Sequence, residues 1–407
     1  MSTPDGSGKR SSLRSLELSN FFLADVQTGL GPFVAAYLAS EGWRPDHVGR
    51  ALTTAGIVTV LLQSPAGWLV DRVHSKRSIL IAGTVVLALG ALLLALSAHP
   101  AQVYTAEALI GAAGPFLAPT LAAITMGLVG IACFDRQFGR NQAFNSAGNL
   151  FAALLIALTS HFLNDRAIFF AAAALTIPTI FAVVFIRRDD IDYELARGGC
   201  DMADTTTSAG SLLALAKDRV LLTFLVCGML FHLANAAMLP QLGEMLAQGR
   251  PRAAAPFMST CIAITQTTIM LSAAWIGRVA NAHGRKQLLL FGFGVLPVRA
   301  VLYTVFHAVP ALLAVQLLDG VANAIFGVVS ILVIADRTRG TGRFNLAQGT
   351  LATSVAIGAA LSPLLGGILI TRISFATSFL ALGAIAALAF LLLLTLPETR
   401  IPANSVQ

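Results

Sequence analysis

Four ionisable residues stand inside apolar stretches of this chain: Asp25 in FLADVQTGLGP, Glu107 in AEALIGAAGP, Arg299 in PVRAV and Asp319 in LLDGV. A charge at the centre of a bilayer costs at least about 2.5–3.5 kcal/mol, so each needs a partner or a task. A carboxyl removed from water keeps its proton more readily, which suits Glu107 to taking up and releasing a proton near neutral pH. The other reading makes Glu107 a neutral acid hydrogen-bonded between helices, or one facing water. Asp25 has Asn235 as its counterpart later in the chain, an amide that keeps the hydrogen bonding and drops the charge. That suits one-sided proton chemistry, or a brace between helices. The two acids are expected to differ in depth by more than ~10 Å, which excludes a direct pair. Arg299 and Asp319 each lie ten positions from Val309, where a helical hairpin turns, so they should share a depth on antiparallel neighbours. Pairing lowers the cost of burying either charge. His232 is a further candidate, as a proton relay or as a histidine held by a hydrogen bond. Gln27, Gln63, Asn235, Gln241 and Gln266 are further polar residues in apolar runs.

The elements that carry these residues are membrane-spanning helices. Of the 407 residues 56% are hydrophobic and 12% charged, with mean hydropathy +0.77, whereas soluble domains run near 25% charged. Apolar runs of about 20 residues, enough to cross some 30 Å of hydrocarbon, recur throughout. They are continuous rather than alternating, which excludes a membrane barrel. Twelve spans are expected, near 16–40, 48–70, 78–98, 101–131, 143–163 and 167–186, then 219–246, 256–280, 287–308, 310–335, 347–370 and 374–396. The fold class is therefore an all-α integral membrane protein of two six-helix bundles, residues 16–186 and 219–396. A tail over 1–15, a linker over 187–218 and a tail over 397–407 complete it. Of the 27 Lys and Arg, twenty fall on one side of these spans and six on the other, with Arg299 inside. The cation-rich side is the cytoplasmic one, and both termini lie there.

Several classes are excluded. The net charge of +7 is dispersed among loops, so nucleic acid is not an expected partner. Cys133, Cys200, Cys227 and Cys261 have no paired spacing, and seven scattered histidines give no metal-ligand pattern. The polar opening, MSTPDGSGKRSSLRS, lacks a signal-peptide core. No H-E-x-x-H, G-x-S-x-G or phosphate-cradling G-x-x-x-x-G-K-[ST] occurs, so neither a membrane enzyme nor an ATPase is expected. A non-transporting sensor is disfavoured by a linker too short for an output domain.

The chain repeats itself. FFLAD at 21–25 matches FHLAN at 231–235, and Asp71 matches Asn281, both at an offset of 210; Gly111 meets Gly320 at 209. Between the second and third spans stands GWLVDRVHSKR, at 67–77, and VANAHGRK at 279–286 is its paler copy. The first string resembles the loop signature of the major facilitator superfamily, usually G-x-x-x-D-R-x-G-R-K-R, with Gly67, Asp71, Arg72, Lys76 and Arg77 matching and Ser75 in the place of a small residue. The resemblance covers essentially the whole chain and implies a transporter with two parallel repeats rocking around a solute path. It further implies that Gly67, Asp71, Arg72, Lys76 and Arg77, with Asn281, Arg285 and Lys286 in the copy, latch the outward-open state. The other reading of the cations is ordinary anchoring on the cytoplasmic side. Where the drug–proton antiporters of the superfamily carry an Arg four residues before a glycine, this chain has Glu107 before Gly111. Their G-P-x-x-G-G-like signature is missing from the fifth span, and a similar string, LSPLLGG, lies at 361–367. GRNQAFNSAGN (139–149) and RGTGRFNLAQG (339–349) occupy equivalent loops.

The expected function is secondary active transport of a small solute, as proton-coupled efflux, in the inner membrane if the source is bacterial. The proton gradient supplies the energy, no cofactor is needed, the bilayer is the one macroscopic partner, and the protein works as a monomer. Glu107 and Asp25 are the proton-coupling candidates; Arg299, Asp319, Gln27, Asn235 and His232 are the substrate-cavity candidates. The alternative is a symporter or facilitator importing a small organic anion, for which Arg299 would be the binding cation.

Overall fold

Hydrocarbon offers backbone groups no water, so a segment that crosses it satisfies its own N–H and C=O groups as a helix. The computed structural model describes residues 6–28, 30–163, 165–197, 217–338 and 344–399, and these contain helices and no strand. In chain order they are α1 (Gly6–Thr28), α2 (Leu30–Ser40), α3 (Pro45–Arg72), α4 (Lys76–Leu96), α5 (Pro100–Val129), α6 (Ile131–Phe162) and α7 (Asp165–Phe185). After two short 3-10 turns follow α8 (Arg219–Asn235), α9 (Met238–Gly249), α10 (Pro251–His283), α11 (Arg285–Val305), α12 (Val309–Thr338), α13 (Phe344–Arg372) and α14 (Phe375–Leu394).

Among the described residues ten helical runs are long and apolar enough to cross a membrane, with α8 and α9 counted as one. The expected first and fifth spans fall partly outside the described residues: position 29 stands between α1 and α2, and several side chains of both spans are likewise not described, so the count of ten is not a count against them. Helix α6 carries Arg136, Arg140, Asn141, Asn145 and Asn149 in its first nineteen positions, ahead of the apolar stretch of the expected fifth span. Helix α1 also begins at Gly6, within the stretch expected as a tail. Most of the expected linker, 198–216, and the end of the chain, 400–407, lie outside the described residues.

The chain forms two compact units that follow the two sets of helices, except that residues 42–53 group with the second and 250–259 with the first. Unit 1 packs α1 against α6 and α7, and α4 against α5 and α7. Unit 2 repeats the plan with α8 against α13 and α14, and α11 against α12 and α14. Because lipid tails are as apolar as leucine, such helices associate through close packing at small residues. Gly111 of α5 lies so near the Ala55 carbonyl of α3 that a methyl group would overlap it, and Gly320 of α12 packs the same way on Thr265 and Thr268 of α10. Gly148 meets the Phe21 carbonyl of α1, and Gly358, its counterpart in the repeat, meets the Met229 carbonyl of α8. The core of unit 2 is aromatic, with Phe231 against Phe293 and Phe326 at centroid distances of 4.8 and 4.9 Å.

Candidate functional site

The most polar interior feature lies in unit 2. Arg299, 1% exposed, stands two residues after Pro297 in α11 and forms an ion pair with Asp319 of α12. Asp319 also accepts hydrogen bonds from Thr265 (3.1 Å), Gln316 (3.0 Å) and Asn323 (2.9 Å). Gln316 donates to Thr265 at 2.9 Å and accepts from the Tyr303 hydroxyl at 2.8 Å. The Arg299 guanidinium lies 5.5 Å from the Tyr303 ring and 3.1 Å from Met238 Sδ, leaving Nε without a partner. Asn235, at the end of α8, reaches Asn323 at 3.4 Å, and its Oδ1 has no partner. A buried carboxylate held by neutral donors and a guanidinium is a closed, neutralised constellation, which is how a low-dielectric interior tolerates charge. Its half-buried members are Asn235, Thr265 and Asn323, while Arg299, Gln316 and Asp319 are covered.

Unit 1 holds the opposite case. Glu107 in α5 is 3% exposed, and no hydrogen bond or ion pair reaches it from the described residues. It sits one turn before Gly111, whose carbonyl accepts from Thr59 of α3 at 2.9 Å. The α5 helix runs unbroken through Pro115 and Pro119 to Gly130. Asp25 and Gln27 lie in α1, with side chains outside the described residues. His232 bonds the Gly228 carbonyl of its own helix (3.2 Å) and packs edge-on against Phe326 at 4.8 Å. Of the other amides, Gln63 Oε1 is buried without a partner, and Gln241 Oε1 accepts from Ser378 at 3.1 Å.

The loop residues have well-defined contacts within their own units. Lys76 is fully buried and its ammonium bonds the Val70 carbonyl, while Arg285 bonds the carbonyl of Ala280, the repeat counterpart of Val70, at 2.6 Å. Arg77 donates to the carbonyls of Val183 (3.2 Å) and Val184 (2.7 Å) at the end of α7. Lys286 donates at 2.9 Å to Leu394 at the end of α14, again the counterpart of Val184. Each cation thus meets carbonyls in the last turn of a helix, where the macrodipole favours positive charge. Arg72 lies 4.3 Å over the Trp68 ring, and Gly67 is in the last turns of α3. Arg285 adds an ion pair to Asp336 at 3.1 Å, and Glu398 accepts from the Arg285 and Lys286 backbone N–H groups at 2.9 and 3.1 Å. The side chains of Asp71 and Asn281 lie outside the described residues.

Three buried acids were not among the sequence candidates: Asp46, in the first turn of α3, is 9% exposed and pairs with Arg44 at 3.3 Å and Arg50 at 3.4 Å. Glu17 pairs with Arg140 at 2.9 Å and accepts from Gln137 at 3.0 Å, and Glu244 in α9 is 3% exposed with Oε2 unpartnered. Glu244 lies two residues from the end of the expected seventh span, 219–246, where an acid reads as a boundary. Gln316, Asp319 and Asn323 follow each other at spacings of three and four, the signature of one helix face.

A helical membrane protein built of two like units, with an arginine and several acids buried inside its spans, has the features of the transporter class. The family model of the Major Facilitator Superfamily matches residues 16–267 and 224–406, and the chain belongs to that superfamily. Two proteins of Mycobacterium tuberculosis, from strains CDC 1551 and H37Rv and each described as an uncharacterised MFS-type transporter, are 39% identical over 390 residues, covering 95% of this chain and 93% of theirs. Among solved structures the nucleoside transporter NupG is similar at a TM-score of 0.78 and 14% identity, over 96% of this chain and 98% of that one. A POT family transporter in complex with a peptide conjugate is similar at 0.74 and 13%, over 94% and 95%. The chain is thus a multi-pass membrane transporter and not an enzyme.

Proposed function

We propose that this transporter exports a small solute in exchange for protons by alternating access. Glu107 is the observation that carries the reading: a covered carboxyl inside a span that no cation or donor holds among the described residues. An acid locked to a cation stays ionised through a cycle, whereas an unpartnered one becomes neutral when it takes a proton and costly when it gives it up. That alternation is what couples a conformational step to a gradient. Asp25 of α1 is the second proposed proton site, and the uncharged Asn235 takes its place in the repeat. The proton gradient is the energy source, no cofactor takes part, and one chain suffices. The proposed setting is the bacterial inner membrane with both termini cytoplasmic.

The alternative, uptake of a small organic anion on Arg299, is supported less well, because that guanidinium is covered and already neutralised by Asp319. Solute contact with the unit 2 constellation is proposed to run through Asn235, Thr265 and Asn323, its half-buried members.

The test is quenching of a pH-sensitive dye in everted vesicles carrying wild type or Glu107→Gln, screened with cationic and anionic compounds. Dissipation of the gradient by a compound with wild type and not with the variant is the expected result. A compound that wild type moves without any change in the gradient overturns antiport and puts the facilitator reading ahead.

A further inference from the structure

A cavity of about 300 Å³ opens on the rim of unit 1 between the start of α1, the end of α5 and the first turns of α6. Three cations line it: Lys9, Arg136 and Arg140. Lys9 and Arg136 are exposed and have no ion-pair or hydrogen-bond partner among the described residues. Arg140 pairs with Glu17, which Gln137 also holds, and Asp190 accepts from Ser12, the neighbour of the cavity-lining Leu13, so these two acids are already engaged. Asp135 adjoins in sequence, with its side chain outside the described residues. Helix α6 begins directly after Gly130, where α5 ends, with no side-chain cap and no acid in its first turn.

We propose that this cavity holds the phosphate headgroup of an anionic phospholipid. A flat guanidinium and an ammonium converging on one hollow match the oxygens of a phosphodiester. Its walls are not wholly polar, which separates a lipid from a free ion: Leu13 and Val129 line the same cavity. Basic hollows between spanning helices on the cytoplasmic side are suited to such headgroups, and the charge bias of the loops assigns this rim to the cytoplasm.

The cavity carries its own reporter, because Cys133 lines it and is exposed, while Cys227 and Cys261 are buried. With Cys200 replaced by serine, the full chain is placed in nanodiscs of phosphatidylcholine alone or of equal parts phosphatidylcholine and phosphatidylglycerol. The alkylation rate of Cys133 by an uncharged maleimide is then read. An anionic surface of about −30 mV lowers the local pH and by itself slows any exposed thiol ~3-fold. A seated headgroup is expected to slow wild type by ~10-fold or more, and Lys9→Gln/Arg136→Gln only by that general factor, since each basic side chain is worth about fivefold at such a surface. The two replaced side chains make no bond among the described residues, and monodisperse elution checks that the variant is intact. Equal slowing of wild type and variant overturns the site. Slowing by glycerol phosphate in phosphatidylcholine discs, to the same extent as by the lipid, overturns the lipid in favour of a soluble phosphate. No effect of glycerol phosphate supports it.

Discussion

Replacing Asp319 by asparagine is the most informative single change in unit 2. The carboxylate receives the Arg299 guanidinium and neutral donors from Thr265, Gln316 and Asn323. The swap removes the charge and keeps the volume, so Arg299 is left covered with neutral neighbours in place of a carboxylate: the new amide, the Tyr303 ring and Met238 Sδ. Breaking a buried pair in this way costs about 3–5 kcal/mol. Arg299→Met is expected to cost less, because an orphaned carboxylate can take a proton and a guanidinium cannot give one up. The double variant Arg299→Met/Asp319→Asn removes both charges and is expected to recover most of the loss, with a coupling of at least about 2 kcal/mol. Melting of detergent-purified protein at one fixed scan rate reads these differences. A loss of about 3–5 kcal/mol corresponds to a fall on the order of 10 °C for a unit of this size. Additive effects, or a loss under about 1 kcal/mol for Asp319→Asn, would refute the reasoning that the pair is a closed, mutually dependent constellation.

Two further outcomes follow from the helix ends. Gly284 precedes α11 at φ +103°, where an added methyl would overlap the Glu398 carboxylate; Gly284→Ala is expected to cost about 1–3 kcal/mol in the same melting assay. Glu398→Ala should relieve only part of that, because the backbone angle remains. At Asp218, just before α8, burial works to raise the carboxyl's pKa. It is outweighed by hydrogen bonds from Arg337 (2.6 Å), Leu221 and Val220, so the net shift is downward. A carboxyl whose folded pKa is depressed adds stability above its unfolded pKa near 4 and loses it as pH falls through the folded value. For so exposed a pair the contribution is under about 1 kcal/mol. Wild type should therefore lose a small increment of melting temperature below pH 4 that Asp218→Asn lacks.

The repeat was legible in the chain and reaches further than its sequence matches. An offset of 210 read from FFLAD and FHLAN reappears in the carbonyls bonded at 70 and 280, and at 184 and 394, where the residues themselves differ. Backbone positions survive a duplication that side chains do not. Counting from the hairpin at Val309 placed Arg299 and Asp319 at one depth, and they meet; rise per residue is a reliable ruler inside a straight helix. Depth says nothing of which face a residue takes, so the donors around Asp319 were not foreseen. Glu17 and Glu244 escaped because each lies near the end of an apolar run, where an acid reads as a boundary.

The two capped helix ends bear on how the chain is made. Arg77 ties the start of α4 to the end of α7, and Lys286 ties α11 to α14, so each bundle is fastened across its own third and sixth spans. The first fastening can close once Val184 has left the ribosome, with more than half of the chain still unmade. Domains generally mature as units from the N-terminus during synthesis. The bundles are accordingly expected to tolerate division into two polypeptides within 198–216, checked by whether each half, expressed alone, is found inserted in the membrane.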